Sequence, residues 1–162
     1  MGLNEFRPIS LVGCIYNILA KVLANTLRDV LDEVIGPNQF SFIKGRQILD
    51  CSLVANEVID EIKKKGIGGL IFKVDFEKAY DSVDWFFMDA IMAKMGFGAR
   101  WRKWINACVS TASLSVLING TLSRQFRATR GLRQGCPLSP FLFNIVAEAL
   151  NSLFYSALLE FF

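Results

Sequence analysis

Histidine is absent from all 162 residues. With it goes every mechanism that needs an imidazole, from Ser-His and Cys-His nucleophile pairs to histidine-ligated metals. The four cysteines, Cys14, Cys51, Cys108 and Cys136, stand far apart with no C-x-x-C pair. Neither a zinc site nor a disulfide framework is indicated, and they read as reduced thiols, mostly in the core. Charge is scarce, at 20% of residues against 52% apolar, a balance that excludes intrinsic disorder. Long apolar runs are missing too: the greasiest stretch, 141–154, is broken by Asn144, Glu148 and Asn151, so no membrane span is expected. The opening, Met1 to Pro8, lacks the basic and apolar regions of a secretory signal, so an intracellular location is expected, without a choice between nucleus and cytoplasm. Any catalysis must lean on carboxylates, lysines or metal ions. The net charge of +3 and isoelectric point near 8.7 are compatible with a polyanionic partner without requiring one.

What is present falls into alternating periods. Ile15, Ile18, Leu19, Val22, Leu23, Leu27, Val30, Leu31 and Val34 recur at helical spacing and predict a helix with one buried face, stopped at Ile35-Gly36-Pro37-Asn38. A loop carrying Lys44 and Arg46 follows. A second helical pattern (Ile48, Cys51, Ser52, Ala55, Ile59, Ile62) closes on Lys63-Lys64-Lys65-Gly66, cations suited to a helix C-terminus. The period then changes to two over Leu70, Phe72, Val74 and Phe76, a strand that ends with Asp75 on its other face. Ser82 or Asp84 caps a helix reaching Met95. A shorter helix holds Trp101, Trp104, Ile105, Cys108 and Val109 on one side, with the tryptophans read as core. Leu114, Val116 and Ile118 alternate up to Asn119-Gly120, a two-residue turn, and Leu122, Phe126 and Ala128 lie beyond it, which predicts a hairpin. Ser139 as N-cap with Pro140 at the first helical position opens a last apolar helix. The expected fold class is α+β, with helices packed on a small, mostly antiparallel sheet that includes one hairpin.

Two segments could carry chemistry. In Phe72-Lys73-Val74-Asp75-Phe76-Glu77-Lys78-Ala79-Tyr80-Asp81 a strand delivers a carboxylate, and an aromatic ring follows five residues on. Nucleotidyl transfer through two divalent ions needs hard oxygen ligands at strand ends, but a strand-end aspartate is also an ordinary cap and Tyr80 an ordinary core ring. The second segment, Arg130 to Pro140, gathers guanidiniums, an amide and small residues before a helix N-terminus, a setting that welcomes phosphate. It reads equally as a turn-rich connector with solvated arginines.

Taken together, five ordered blocks settle the choice. Phe6-Arg7-Pro8-Ile9-Ser10-Leu11, then Gln39-Phe40-Ser41-Phe42 leading to Lys44-Gly45-Arg46-Gln47-Ile48, then Lys73 to Trp85, then Ser115 to Gly120, then Arg130 to Pro140 resemble the reverse transcriptases of non-LTR (LINE-type) retrotransposons, in a form closest to plant elements. The resemblance runs from Phe6 to about Phe154. It implies the fingers and part of the palm of a right-hand polymerase, with about 1–69 as a fingers-like helical part and about 70–162 as a partial palm. It makes Asp75 the catalytic, metal-binding aspartate, with the carbonyl of Phe76 as a further metal ligand. Tyr80 would lie beneath the deoxyribose, and Gln134 and Gly135 would line the nucleotide pocket. Arg46 and Lys44 would meet the triphosphate. Mg²⁺, or Mn²⁺ in its place, would be the cofactor, and RNA template, DNA primer and dNTP the partners, with no membrane.

Departures from the family pattern set further expectations. The family's second palm motif carries two adjacent aspartates, and no Asp-Asp pair occurs in the chain. The tail from Tyr155 to Phe162 no longer reads like the family. The chain is therefore expected to be a fragment of an RNA-directed DNA polymerase, inactive by itself. The alternatives are a non-catalytic nucleic-acid-binding module and the remnant of a decayed element.

Overall fold

The computed structural model of the chain describes residues 10–68 and 76–161. Five helices run as α1 (Cys14–Val34), α2 (Ile48–Lys65), α3 (Trp85–Lys94), α4 (Ala99–Ser110) and α5 (Ser139–Phe161). Between α4 and α5 lie four two-residue strands, β1 (Ser113–Leu114), β2 (Leu117–Ile118), β3 (Thr121–Leu122) and β4 (Phe126–Arg127). The fold class is α+β, as expected. The strand predicted over Leu70 to Phe76 lies outside the described residues except for Phe76.

The core is made by helix against helix. Ala20, Ala24, Leu27 and Leu31 of α1 meet Met88 and Met92 of α3, Ile105 of α4, and Leu142 and Ile145 of α5 in one buried cluster. Full burial of a side chain such as Leu27 or Leu31 contributes about 1.5–3 kcal/mol. Among the described residues the helices pack on one another, and the strands form two small antiparallel ladders of one hairpin. There β2 pairs with β3 and β1 with β4, both antiparallel. Asn119 and Gly120 turn the chain with φ of 48° and 82°, the left-handed pair that a two-residue hairpin requires. Ser123 bridges the two ladders, its N–H donating to the Val116 carbonyl and its hydroxyl accepting from the Val116 N–H.

The predicted stripe of α1 holds at Leu27 and Leu31, which are buried, and at Leu23 and Val34, which pack on the core, but is corrected in the first half of the helix. The buried side runs through Ala20, Ala24, Leu27 and Leu31, whereas Ile15, Ile18, Leu19 and Val22 face solvent. Both faces of the helix are apolar, and the face with the small alanines is the one that admits close approach of its neighbours. Helix α2 buries no residue at all. It is held by local features: Asp50 accepts from the Gln47 N–H at 3.3 Å, Glu61 pairs with Lys65 at 2.7 Å, and Gly66 closes the helix as its C-cap. Of the caps predicted for α3, Asp84 is the one used, accepting from the Phe87 N–H at 2.8 Å.

Candidate functional site

The loop before α5 is pinned from several directions. Gly131 donates its N–H to the Val83 carbonyl at 2.7 Å, and Leu132 donates to the Tyr80 carbonyl at 2.8 Å. Trp85 returns a bond from Nε1 to the Gly131 carbonyl at 2.8 Å. Gly131 has φ of 91°, and a Cβ there would come within 3.0 Å of the Asp81 carbonyl oxygen, so only glycine lets these two segments touch. The sequence-predicted segments around Tyr80 and Gln134 are therefore joined through their backbones.

Arg133 locks the same loop to the helices. Its guanidinium lies 4.2 Å from the centroid of the Tyr16 ring and donates to the Cys108 carbonyl. Tyr16 donates its hydroxyl to the same carbonyl at 3.1 Å and lies 3.6 Å from Cys136 Sγ. Burial, then the contact with Cys136, pushes the Tyr16 hydroxyl well above its ordinary range. Burial likewise raises the Cys108 thiol and the Tyr80 hydroxyl. Ser139, predicted as an N-cap, is corrected here: its hydroxyl donates to the Arg133 carbonyl at 2.7 Å, tying α5 to the loop. The cysteines divide evenly, since Cys14 and Cys51 are exposed, Cys108 is half-buried and Cys136 is buried, all as free thiols.

A cleft of about 250 Å³ opens beside this loop, lined among others by Asp81, Arg130, Arg133 and Gln134. Gln134 lines this cleft, and its carbonyl accepts from the Ser10 N–H at 3.0 Å. Gly135 is exposed, and a Cβ on it would meet the Ser10 carbonyl oxygen at 3.1 Å. The Tyr80 ring meets Phe143 edge-on at 5.4 Å, and Phe76 meets the same Phe143 ring at 5.9 Å. Phe143 thus fixes both aromatic residues that flank the carboxylate segment. Asp75 itself lies outside the described residues.

The two basic residues of the earlier loop occupy different settings. Arg46 donates to the carbonyls of Gly36 at 2.6 Å and Gln39 at 2.8 Å and pairs with Asp32 at 2.7 Å. It closes the C-terminal end of α1, where carbonyls lack partners and a cation is favoured. Lys44 is exposed and lines a separate groove of about 440 Å³ with Arg28, Asp29, Phe42 and Phe141. Asn144 of α5, 3% exposed, donates to the Ser41 carbonyl at 2.7 Å and braces this loop from beneath. The sequence reading used Asn144 only as an interruption of an apolar run. A polar residue inside such a run is itself a signal, because buried amides must find partners.

Among the described residues no three His, Cys, Asp or Glu side chains come together as metal ligands, so the described part alone does not make a cation cage. Nor is any described helix long and apolar enough to cross a membrane.

The family model described as "Reverse transcriptase (RNA-dependent DNA polymerase)" matches residues 2–160. The match passes the point near Phe154 where the resemblance was expected to fade, and α5 continues through the same tail. Among curated proteins the chain is similar to the transposon TX1 uncharacterized 149 kDa protein of Xenopus laevis, 32% identical over 146 residues, which is 90% of this chain and 11% of that protein. It is 30% identical over 146 residues to a Pol polyprotein from the retrotransposable element R2 of Nasonia vitripennis, 90% of this chain and 14% of that protein. A third relative, the corresponding R2 polyprotein of Popillia japonica, is 25% identical over 148 residues, 91% of this chain and 20% of that protein. The chain thus spans only a small part of the relatives it matches. Proteins of this family act on nucleic acids and in general depend on divalent metal ions. A family match over nearly the whole length, with relatives drawn from retrotransposons, establishes that the chain belongs to the reverse transcriptases of the non-LTR type.

Proposed function

We propose that the chain is the fingers and partial palm of an RNA-directed DNA polymerase, with residues 1–69 as the fingers-like part and 70–162 as the palm part. The observation that carries this reading is the backbone junction of Gly131 and Leu132 with Val83 and Tyr80, which ties the carboxylate segment to the Gln134 loop beside an open cleft. The whole enzyme would use an RNA template, a DNA primer and dNTP, with Mg²⁺, or Mn²⁺ in its place. Asp75 and the Phe76 carbonyl would hold the metal, which when bound supplies activation of the primer hydroxyl and neutralises phosphate charge.

The chain's own residues then divide the work. Tyr80, braced by Phe143, presents a fixed ring against the sugar and disfavours a 2′-hydroxyl. Gln134 binds the nucleotide from the cleft wall, and Gly135 leaves room for its approach. Lys44, exposed and free of any ion pair among the described residues, is the cation able to meet the triphosphate. Arg46, expected to meet the triphosphate as well, instead supports Lys44 by holding the loop onto α1. Lacking an Asp-Asp pair, the chain by itself is expected to be inactive.

Grafting residues 6–154 in place of the matching segment of a full-length retrotransposon reverse transcriptase tests the reading by primer extension on RNA. Synthesis is expected, with Asp75→Ala lowering it by about 10²–10³-fold, the size seen when one preorganised electrostatic group is lost. Tyr80→Ala should increase ribonucleotide incorporation. Synthesis that survives Asp75→Ala would overturn the assignment, and product from the 162-residue chain alone would overturn its inactivity.

A further inference from the structure

Helix α4 has the sequence ARWRKWINACVS, with three cations and no anion. Arg100, Arg102 and Lys103 all lie in its first half, where the helix dipole is positive and cations are disfavoured. Arg100 and Lys103 are also three residues apart, close enough for like charges to repel. Arg102 is relieved by its ion pair with Asp89 of α3. At about 100° per residue Arg102 falls on the flank turned toward α3, while Arg100, Lys103, Trp104 and Ala107 share the other flank. Neither Arg100 nor Lys103 has a carboxylate partner among the described residues. The fold therefore tolerates an uncompensated cationic face that a polyanion would relieve.

Trp104 gives that face a second property. Expected in the core, it is 46% exposed. The Arg100 guanidinium lies 5.1 Å from its ring centroid, and Trp101 meets it edge-on at 6.2 Å. The indole is held by two neighbours while much of it stays open to solvent. An oriented, open aromatic ring flanked by cations is the arrangement that takes an unstacked base together with its backbone phosphates. A duplex, whose bases are already stacked, offers no such face.

We propose that this flank of α4 binds single-stranded nucleic acid outside the polymerase cleft, with one base stacked on Trp104 and phosphates paired with Arg100 and Lys103. Cys108, where α4 meets Arg133 of the cleft loop, lies about 12 Å along the helix axis from Arg100. The two surfaces are thus separate, and this proposal stands or falls independently of the catalytic reading.

The test is a titration of a short labelled oligouridylate with the full chain, followed by anisotropy and by tryptophan emission as salt is raised. Binding at low salt with quenched emission is expected. The double variant Arg100→Glu with Lys103→Glu should weaken binding at least about tenfold and lower the slope of log affinity against log salt by about 1.4, two single-strand phosphate contacts' worth. Lys63→Glu with Lys64→Glu, the same formal change at the end of α2, should leave affinity within about threefold. Trp104→Phe keeps a stacking ring and should retain binding while abolishing the quench, and Trp104→Ala should lose about tenfold in affinity. Circular dichroism confirms that each variant is folded. Absence of binding at low salt, equal loss from the two charge-reversed pairs, or a quench that persists in Trp104→Phe would each overturn the proposal.

Discussion

The helical body and the outlying segments of this molecule both carry large apolar side chains, and these behave in opposite ways. In the body, Leu27, Leu31, Met88, Met92, Leu142 and Ile145 are shut away from water. In α2 and the hairpin, Ile48, Leu49, Leu53, Val116, Ile118 and Leu122 are exposed to about the degree of a free surface. A large apolar side chain is therefore not by itself enough for burial here. What decides it is whether a second surface of matching shape is within reach, and the body has small residues, glycine junctions and buried polar ties that bring its elements together.

That contrast can be broken deliberately. Leu31→Ala should cost about 2–5 kcal/mol, the range for emptying a packed leucine site, read as a lowered midpoint in urea unfolding. Asn144→Ala should cost about 1–3 kcal/mol, because the Ser41 carbonyl loses its buried donor; proteolysis should then cut first within residues 36–46. A pH scan sharpens the comparison further. Tyr16, Tyr80 and Cys108 belong to the body, and burial raises each above its ordinary value. A group whose folded value is raised keeps its full contribution below the unfolded value, near 9 for the thiol and 10 for the phenols, and loses it as pH rises toward the folded value. Thermal stability should accordingly hold through neutral pH and fall above about pH 9–10, and Tyr16→Phe should flatten that fall. The smallest effect is expected from Leu53→Ser in α2, within about 0.5 kcal/mol, since no packing is lost; a larger cost would mean that α2 has a partner surface in solution.

The sequence was most legible where a local rule decides the outcome. The bounds of α2, its closing glycine, the Asp84 cap and the Asn119-Gly120 turn all follow from residues adjacent in the chain. Choices between two permitted faces were not legible. Helix α1 offers apolar residues on more than one side, and only contact with the other helices of the body selects the face containing Ala20 and Ala24. Trp104 was misplaced for a related reason, since spacing puts it beside Ile105 but cannot say that Arg100 will lie against its ring. Motif residues were found by family pattern, yet their local partners were not: Arg46 looked free because the carbonyls it caps are up to eleven residues away along the chain.

Helix α5 reaches three segments through residues only a few positions apart. Ser139 ties the Arg133 carbonyl, Phe143 steadies Phe76 and Tyr80, and Asn144 grips Ser41. Each extra or missing residue rotates the downstream part of the helix by about 100°, so a single insertion between Ser139 and Phe143 would swing the latter two attachments away from their targets together while leaving the first in place. Substitution at the half-buried intervening positions, Pro140 and Phe141, can be absorbed one site at a time, but a change of length cannot. This short stretch should therefore drift in composition far more readily than it can lengthen or shorten.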